Sequence, residues 1–220
     1  MAPELPQQAI GALALALVAI PALVVSDYRQ YLPGRYLFKP AAALAFLWLA
    51  LAMGATESRY GLWILAGLLC SSAGDVLLMP DNRHSFLAGL AAFLCGHLCY
   101  AAAFASSHYT PTWLLVNGAA ALMLLVLSLR WLLPHLDAAM KGPVVLYTAV
   151  ITGMLVSAGL RAIQPGAGLV LAGAWGFAFS DLAVARQRFV HPARANGLWG
   201  TPLYFVSQLL LAASVAVVQS

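Results

Sequence analysis

Eight apolar stretches, each about long enough to cross a bilayer, run through this chain at residues 7–26, 39–55, 60–80, 85–106, 112–133, 142–161, 166–186 and 199–218. Hydrocarbon offers no partner to a backbone N–H or C=O, so a spanning segment must be an α-helix or part of a closed barrel. Continuous Leu, Ala and Val runs lack the alternation of barrel strands, which leaves helices. The expected fold class is therefore all-α, an integral membrane bundle of about eight helices. Composition agrees, with 63% of residues hydrophobic and only 8% charged, far from the mixture of a soluble domain. Short connections, with no long linker or low-complexity segment, predict a single polytopic domain over 1–220. The first stretch follows Met-Ala-Pro-Glu-Leu-Pro, without a basic flank or a small-residue cleavage site. It reads as a retained span rather than a signal peptide.

Basic residues set an orientation. Arg29, Arg35, Lys39, Arg83, Arg130, Lys141, Arg186, Arg188 and Arg194 fall on one side, against Arg59 and Arg161 on the other. By the positive-inside rule the odd-numbered loops face the cytoplasm and both termini face outward. The same distribution accounts for the basic excess without nucleic acid, since these residues flank spans. Tyr28, Tyr31, Tyr36, Tyr60, Trp63, Tyr109, Trp113, Trp131 and Trp199 gather near span ends and are expected to anchor at the headgroups. Cys70, Cys95 and Cys99 lie within spans, where no disulfide is expected. Cys95 and Cys99 share a helix face, but His97 between them points elsewhere, too few ligands for a metal.

Two aspartates, Asp75 in GDVLLM and Asp181 in FSDLAVA, stand inside this apolar frame. An Asp at mid-membrane costs roughly 2.5–3.5 kcal/mol, so such a residue faces the bundle interior and marks chemistry, a transport path or an interhelical hydrogen bond. Each lies about five residues, or roughly 7 Å, from the cytoplasmic end of its span. Tyr147 and Tyr204 fall at similar depth near the starts of spans six and eight, with His97 and Gln208 somewhat deeper. Ser71 and Ser72 precede Asp75 by four and three residues, and Tyr204 precedes Gln208 by four, so each set shares a face. Met154, seven residues beyond Tyr147, reads as a lining residue. Two neighbouring carboxyls do not both ionise easily, so one of the pair would hold a proton near neutral pH. Lys39-Pro40 opening span two, Lys141-Gly142-Pro143 opening span six, and an aspartate closing spans three and seven suggest a four-plus-four parallel repeat.

Three functions fit these residues. One is an enzyme, one a small-molecule or proton-coupled transporter, and one an assembly protein in which both aspartates lock helix packing. Asp75→Asn separates the first from the last, because an assembly role predicts loss of folding and catalysis predicts loss of turnover alone. A relay is disfavoured by the outer half, which offers little beyond Asn117 and Ser157.

At these positions the sequence resembles the YhhN-like lysoplasmalogenase family of multi-pass membrane proteins. The matching pieces are Gly74-Asp75-Val76-Leu77-Leu78-Met79, Phe86-x-x-Gly89, Phe93-x-x-Gly96-His97-x-x-Tyr100, Tyr147 with Gly153-Met154, Gly173-Ala174 with Phe179-Ser180-Asp181, Arg188-Phe189 and Tyr204-x-x-x-Gln208, with Lys39-Pro40 also fitting. Val184 departs mildly, standing where a larger Leu is expected. The resemblance implies hydrolysis of the vinyl-ether bond of a lysoplasmalogen, a lysophospholipid, to a fatty aldehyde and glycerophospho-ethanolamine or glycerophospho-choline. Asp75 and Asp181 would be the acid/base pair. His97, Tyr100, Tyr147, Met154, Tyr204 and Gln208 would bind or orient substrate or water. No metal or organic cofactor is expected. Arg83, Arg186 and Arg188 could meet the phosphate. Ala-rich spans and short loops suggest a bacterial plasma membrane.

Overall fold

Eight helices long and apolar enough to cross a membrane carry most of the chain described by the computed structural model, which covers residues 6–105 and 108–218. They are α1 (Gln7–Tyr28), α2 (Leu32–Ala52), α3 (Arg59–Leu77), α4 (Arg83–Phe104), α5 (Pro111–Leu132), α6 (Ala138–Gly159), α7 (Ala167–Ala185) and α8 (Arg194–Val218). A 3-10 turn, Leu133–His135, extends α5, and a π turn, Arg186–Val190, extends α7. The bundle is all-α. Residues 1–5, on which the reading of a retained first span partly rests, lie outside the described residues.

Local chemistry sets the helix starts. Ser58 Oγ accepts from the Gly61 amide, Asn82 Oδ1 from Ser85 and Asp137 Oδ1 from Met140, so α3, α4 and α6 open on a side-chain cap. Helix α2 opens instead on Tyr31-Leu32-Pro33, with proline in its first turn. It therefore begins seven residues before the expected span, and Lys39-Pro40 lies two turns inside it rather than at its mouth. Helix α8 likewise begins at Arg194, so Tyr204 stands well within the helix. Interior prolines at 21, 40 and 202 are carried because neighbouring helices shield the freed backbone.

The helices pair as two sets of four. Close neighbours α1–α2, α2–α3 and α3–α4 have counterparts in α5–α6, α6–α7 and α7–α8, and the two sets join through α2–α8 and α4–α6. Helix α8 also packs on α1 and α3, and among the described residues α4 makes no comparable contact with α5 or α7, so the two sets match only in part. The tightest pairs are the hairpins α3–α4 and α7–α8, where small residues let backbones approach. A Cβ built on Gly67 would run into the ring of Tyr100, and one on Gly200 into Ala183. Gly67→Val is accordingly expected to cost about 1–3 kcal/mol by forcing Tyr100 aside, read as a fall in unfolding temperature in detergent. An unchanged temperature would mean the ring moves freely.

Tyr60 is not a headgroup anchor. Its buried hydroxyl shares a 2.7 Å hydrogen bond with Ser214 on α8, and the Arg161 guanidinium lies 4.7 Å over its ring. With Arg161 also donating to the Ala103 carbonyl, this group ties α3, α4 and α8 together at the end away from the aspartates. Tyr28, Tyr31, Tyr36, Tyr109, Trp113 and Trp199 are exposed, as anchors would be.

Candidate active site

Both aspartates line one cavity of about 610 Å³. It opens at the end of the bundle where the α1–α2, α3–α4 and α7–α8 connections gather, and its lining includes Asp27, Arg35, Asp81 and Arg188. Here Asp27 pairs with Arg35 at 3.4 Å and Asp81 with Arg188 at 3.1 Å, so the mouth carries two ion pairs. Of the three arginines proposed for a phosphate, Arg188 alone lines the cavity, lying over the Phe86 ring. Arg186 is turned instead to the Asn196 side chain.

The two carboxyls are held by separate groups. Asp75, 3% exposed at its side chain, accepts a 2.7 Å hydrogen bond from Tyr204 Oη on its Oδ2. Its Oδ1 lies 3.3 Å from Lys39 Nζ. Asp181, 14% exposed, meets His97 Nε2 at 3.1 Å and accepts from Tyr147 Oη at 3.1 Å, both on Oδ2. Among the described residues no hydrogen bond joins the two carboxyls. The arrangement repeats across the halves. Each aspartate, on the third helix of its own set, is gripped by a residue of the second helix of that set and by one from the fourth helix of the other. Lys39 on α2 and Tyr204 on α8 serve Asp75, while Tyr147 on α6 and His97 on α4 serve Asp181.

Lys39 is the partner of Asp75 that sequence reading missed. Positive-inside counting used it as a cytoplasmic flank, and the expected start of span two left it at the interface. Its signal lay in Pro33, an earlier helix start that carries the ammonium two turns deeper. The serines go the other way. Ser72 Oγ donates to the Leu68 carbonyl of its own helix, and neither Ser71 nor Ser72 has a hydrogen bond to Asp75.

Sorting by depth separates the remaining residues. Tyr147 and Tyr204 line the cavity, whereas His97, Tyr100, Met154 and Gln208 are fully buried behind it. Met154 is thus a backing residue, not a lining one. Its Sδ lies 3.2 Å from His97 Nδ1, and the Phe177 ring lies 4.3 Å from the imidazole on another side. Tyr100 Oη donates to Gln208 Oε1 at 2.6 Å, joining α4 to α8. A thioether only accepts, so the His97–Met154 contact assigns the ring proton to Nδ1. His97 Nε2 faces both Asp181 Oδ2, at 3.1 Å, and Tyr147 Oη, at 3.3 Å. Asp75 faces an ammonium and a phenol that both donate. The site places two carboxyls with unlike partners around one cavity.

A model of the YhhN family matches residues 34–215. The lysoplasmalogenase TMEM86B of Mus musculus is 34% identical over 170 residues, 76% of this chain and 68% of the mouse protein. A lysoplasmalogenase of Mycobacterium bovis is 31% identical over 191 residues, 83% of this chain and 72% of the relative. The human lysoplasmalogenase TMEM86B is 30% identical over 180 residues, 80% of this chain and 71% of the relative. No solved structure matches.

Proposed function

Because the chain belongs to the YhhN family, we propose that it acts as its named relatives do, hydrolysing the vinyl-ether bond of a lysoplasmalogen, and that Asp181 and Asp75 divide the proton transfers. It is a multi-pass membrane enzyme, a lysoplasmalogenase-type ether hydrolase whose substrate is a lysophospholipid. The observation that carries the division of labour is the unlike pairing of the carboxyls: Asp181 with the His97 imidazole and the Tyr147 phenol, Asp75 with the Lys39 ammonium and the Tyr204 phenol.

Asp181 gives its proton to the β-carbon of the enol ether, and the π electrons of the double bond form the new C–H bond. The cation left on the α-carbon is an oxocarbenium ion, stabilised by the nearby Asp75 carboxylate. Water adds to that carbon while Asp75 takes one of its protons, giving a hemiacetal. Collapse returns the hemiacetal O–H proton to Asp181. The Asp75 proton goes to the departing glycerol oxygen, so both carboxyls end as they began. The logic is that of glycoside hydrolysis, where two carboxyls bracket an oxocarbenium-like state. Tyr147 and Tyr204 line the cavity beside the carboxyls and orient substrate or water. His97 acts through Asp181, with Met154 fixing its tautomer, and Tyr100 with Gln208 supports Tyr204 from behind.

The mouth faces the cytoplasm of a bacterial plasma membrane in this reading, both termini lie outside, and 1–220 forms one domain. Support comes from the basic residues that gather at the cavity end. A single-chain lipid then keeps its tail in hydrocarbon and its headgroup at the mouth.

Purified protein should release fatty aldehyde from 1-alkenyl-lysophosphatidylethanolamine or its choline counterpart. In D₂O the aldehyde should carry deuterium at carbon 2, and in H₂¹⁸O the glycerophospholipid should contain no label. Label in the glycerol product would mean that the other C–O bond breaks. No release from well-folded protein with either substrate would overturn the assignment.

A further inference from the structure

The cavity is larger than the space around the carboxyls requires, and its excess runs toward α5. Leu124, Ser128 and Leu132 face it from α5, and Val144, Thr148 and Thr152 from α6. These are two stripes at i, i+4, i+8, so the arm is about 12 Å long, room for about ten chain carbons. Its polar residues are made apolar locally, since Thr148 Oγ1 donates to the Val144 carbonyl and Thr152 Oγ1 to the Thr148 carbonyl. Their methyl groups are what remain for the arm. Leu90 of α4 borders the same space.

Packing explains why the arm lies here. Helix α5 is the least buried of the eight spans and packs along α6, while α4 and α5 flank α6 without packing closely on each other. Its outer half is fixed by Asn117, which donates to the Leu155 carbonyl and accepts from Trp175 Nε1 at 2.9 Å. Its inner half, from Leu124 onward, turns to the cavity. The bilayer-facing side of the arm is thus the gap between α4 and α5.

We infer that this arm between α4, α5 and α6 holds the first part of the substrate's alkenyl chain, that the rest leaves to the bilayer between α4 and α5, and that Ser128 controls which chains fit. The inference rests on the vinyl-ether reading above. A chain in the arm has left lipid, not water, so its burial there gains little free energy. Selection is therefore steric. A short chain ends inside the arm, and a long one must thread it.

Ser128→Phe narrows the arm without touching either carboxyl or its partners. Hydrolysis of a 16-carbon alkenyl lysophosphatidylethanolamine should fall at least tenfold in kcat/KM, while a four-carbon analogue stays within threefold of the parent. Leu127→Phe, on the lipid-facing side of α5, should change neither. Equal loss on both substrates, or loss on neither, in protein with parental unfolding temperature would overturn the inference. A second measurement needs no turnover. A non-cleavable alkyl-ether lysophospholipid with a mid-chain diazirine at carbon 8 should label Leu124–Leu132 or Val144–Thr152 on irradiation. Labelling confined to other helices would sink the arm even if aldehyde is released. Silence of the parent toward both substrates, with labelling in the arm, would instead remove the vinyl-ether reading and leave the chain site standing.

Discussion

Asp181→Asn should lower turnover by about a thousandfold or more, the loss expected when a positioned general acid is removed. The amide matches the carboxyl in shape and keeps its contacts. Both contacts fall on Oδ2, so an amide nitrogen in that place can donate to His97 Nε2 and to Tyr147 Oη, whose own hydrogen then turns away. What it lacks is a proton acidic enough to give to carbon. Unfolding temperature should therefore stay close to that of the parent while aldehyde release disappears. A variant that retains a tenth of the activity would remove Asp181 from the role of acid. His97→Gln offers a graded companion, because it keeps a polar partner for Asp181 but loses the tautomer fixed by Met154. Turnover should drop less than in Asp181→Asn, and substrate KM should hardly move.

Lys39→Met should destabilise the protein by about 3–5 kcal/mol, because it strips the ammonium from a carboxylate that has almost no access to water. It should also abolish turnover. Asp75→Asn alone is less clean than Asp181→Asn, since it leaves the Lys39 ammonium largely buried without its countercharge. Sequence reading took loss of folding in Asp75→Asn as the mark of a purely structural aspartate. The ion pair undoes that test, for a catalytic carboxylate paired with a lysine fails it too. The double variant Lys39→Met/Asp75→Asn discriminates. It should recover most of the lost stability, by removing both charges together, yet remain inactive. Denaturant or thermal unfolding of all four proteins closes the cycle. Additive losses in the double variant would mean that the two groups do not interact.

The helices and the pair of acidic residues were legible because both rest on one strong physical term, the cost of polar groups in hydrocarbon. Composition and run length then locate spans to within a turn or two. The errors arose where that term is silent. Pro33 starts α2 early through backbone geometry, not hydropathy, so Lys39 was left at the surface on paper. Tyr60 sits near a span end like its exposed counterparts, and only the meeting of α3 with α8 turns it inward to Ser214. Met154 shares a helical face with Tyr147, but a linear pattern does not distinguish the cavity wall from the layer behind it. The pairing of His97 with Asp181 joins residues 84 positions apart. Depth could align them, and tertiary packing alone decides that they touch.

The exchange of partners between the two halves has a consequence for how the protein is made. Helix α8 follows the other seven described helices off the ribosome, and it carries the phenol that completes the Asp75 site. Until it inserts, Asp75 has its lysine from α2 but no Tyr204, and the buried Tyr100 has no Gln208 to receive its hydroxyl. A nascent chain stalled before Arg194 holds both carboxyls in the membrane and still lacks a working acceptor. The Asp75 site is thus assembled only after both halves of the bundle have met in the membrane.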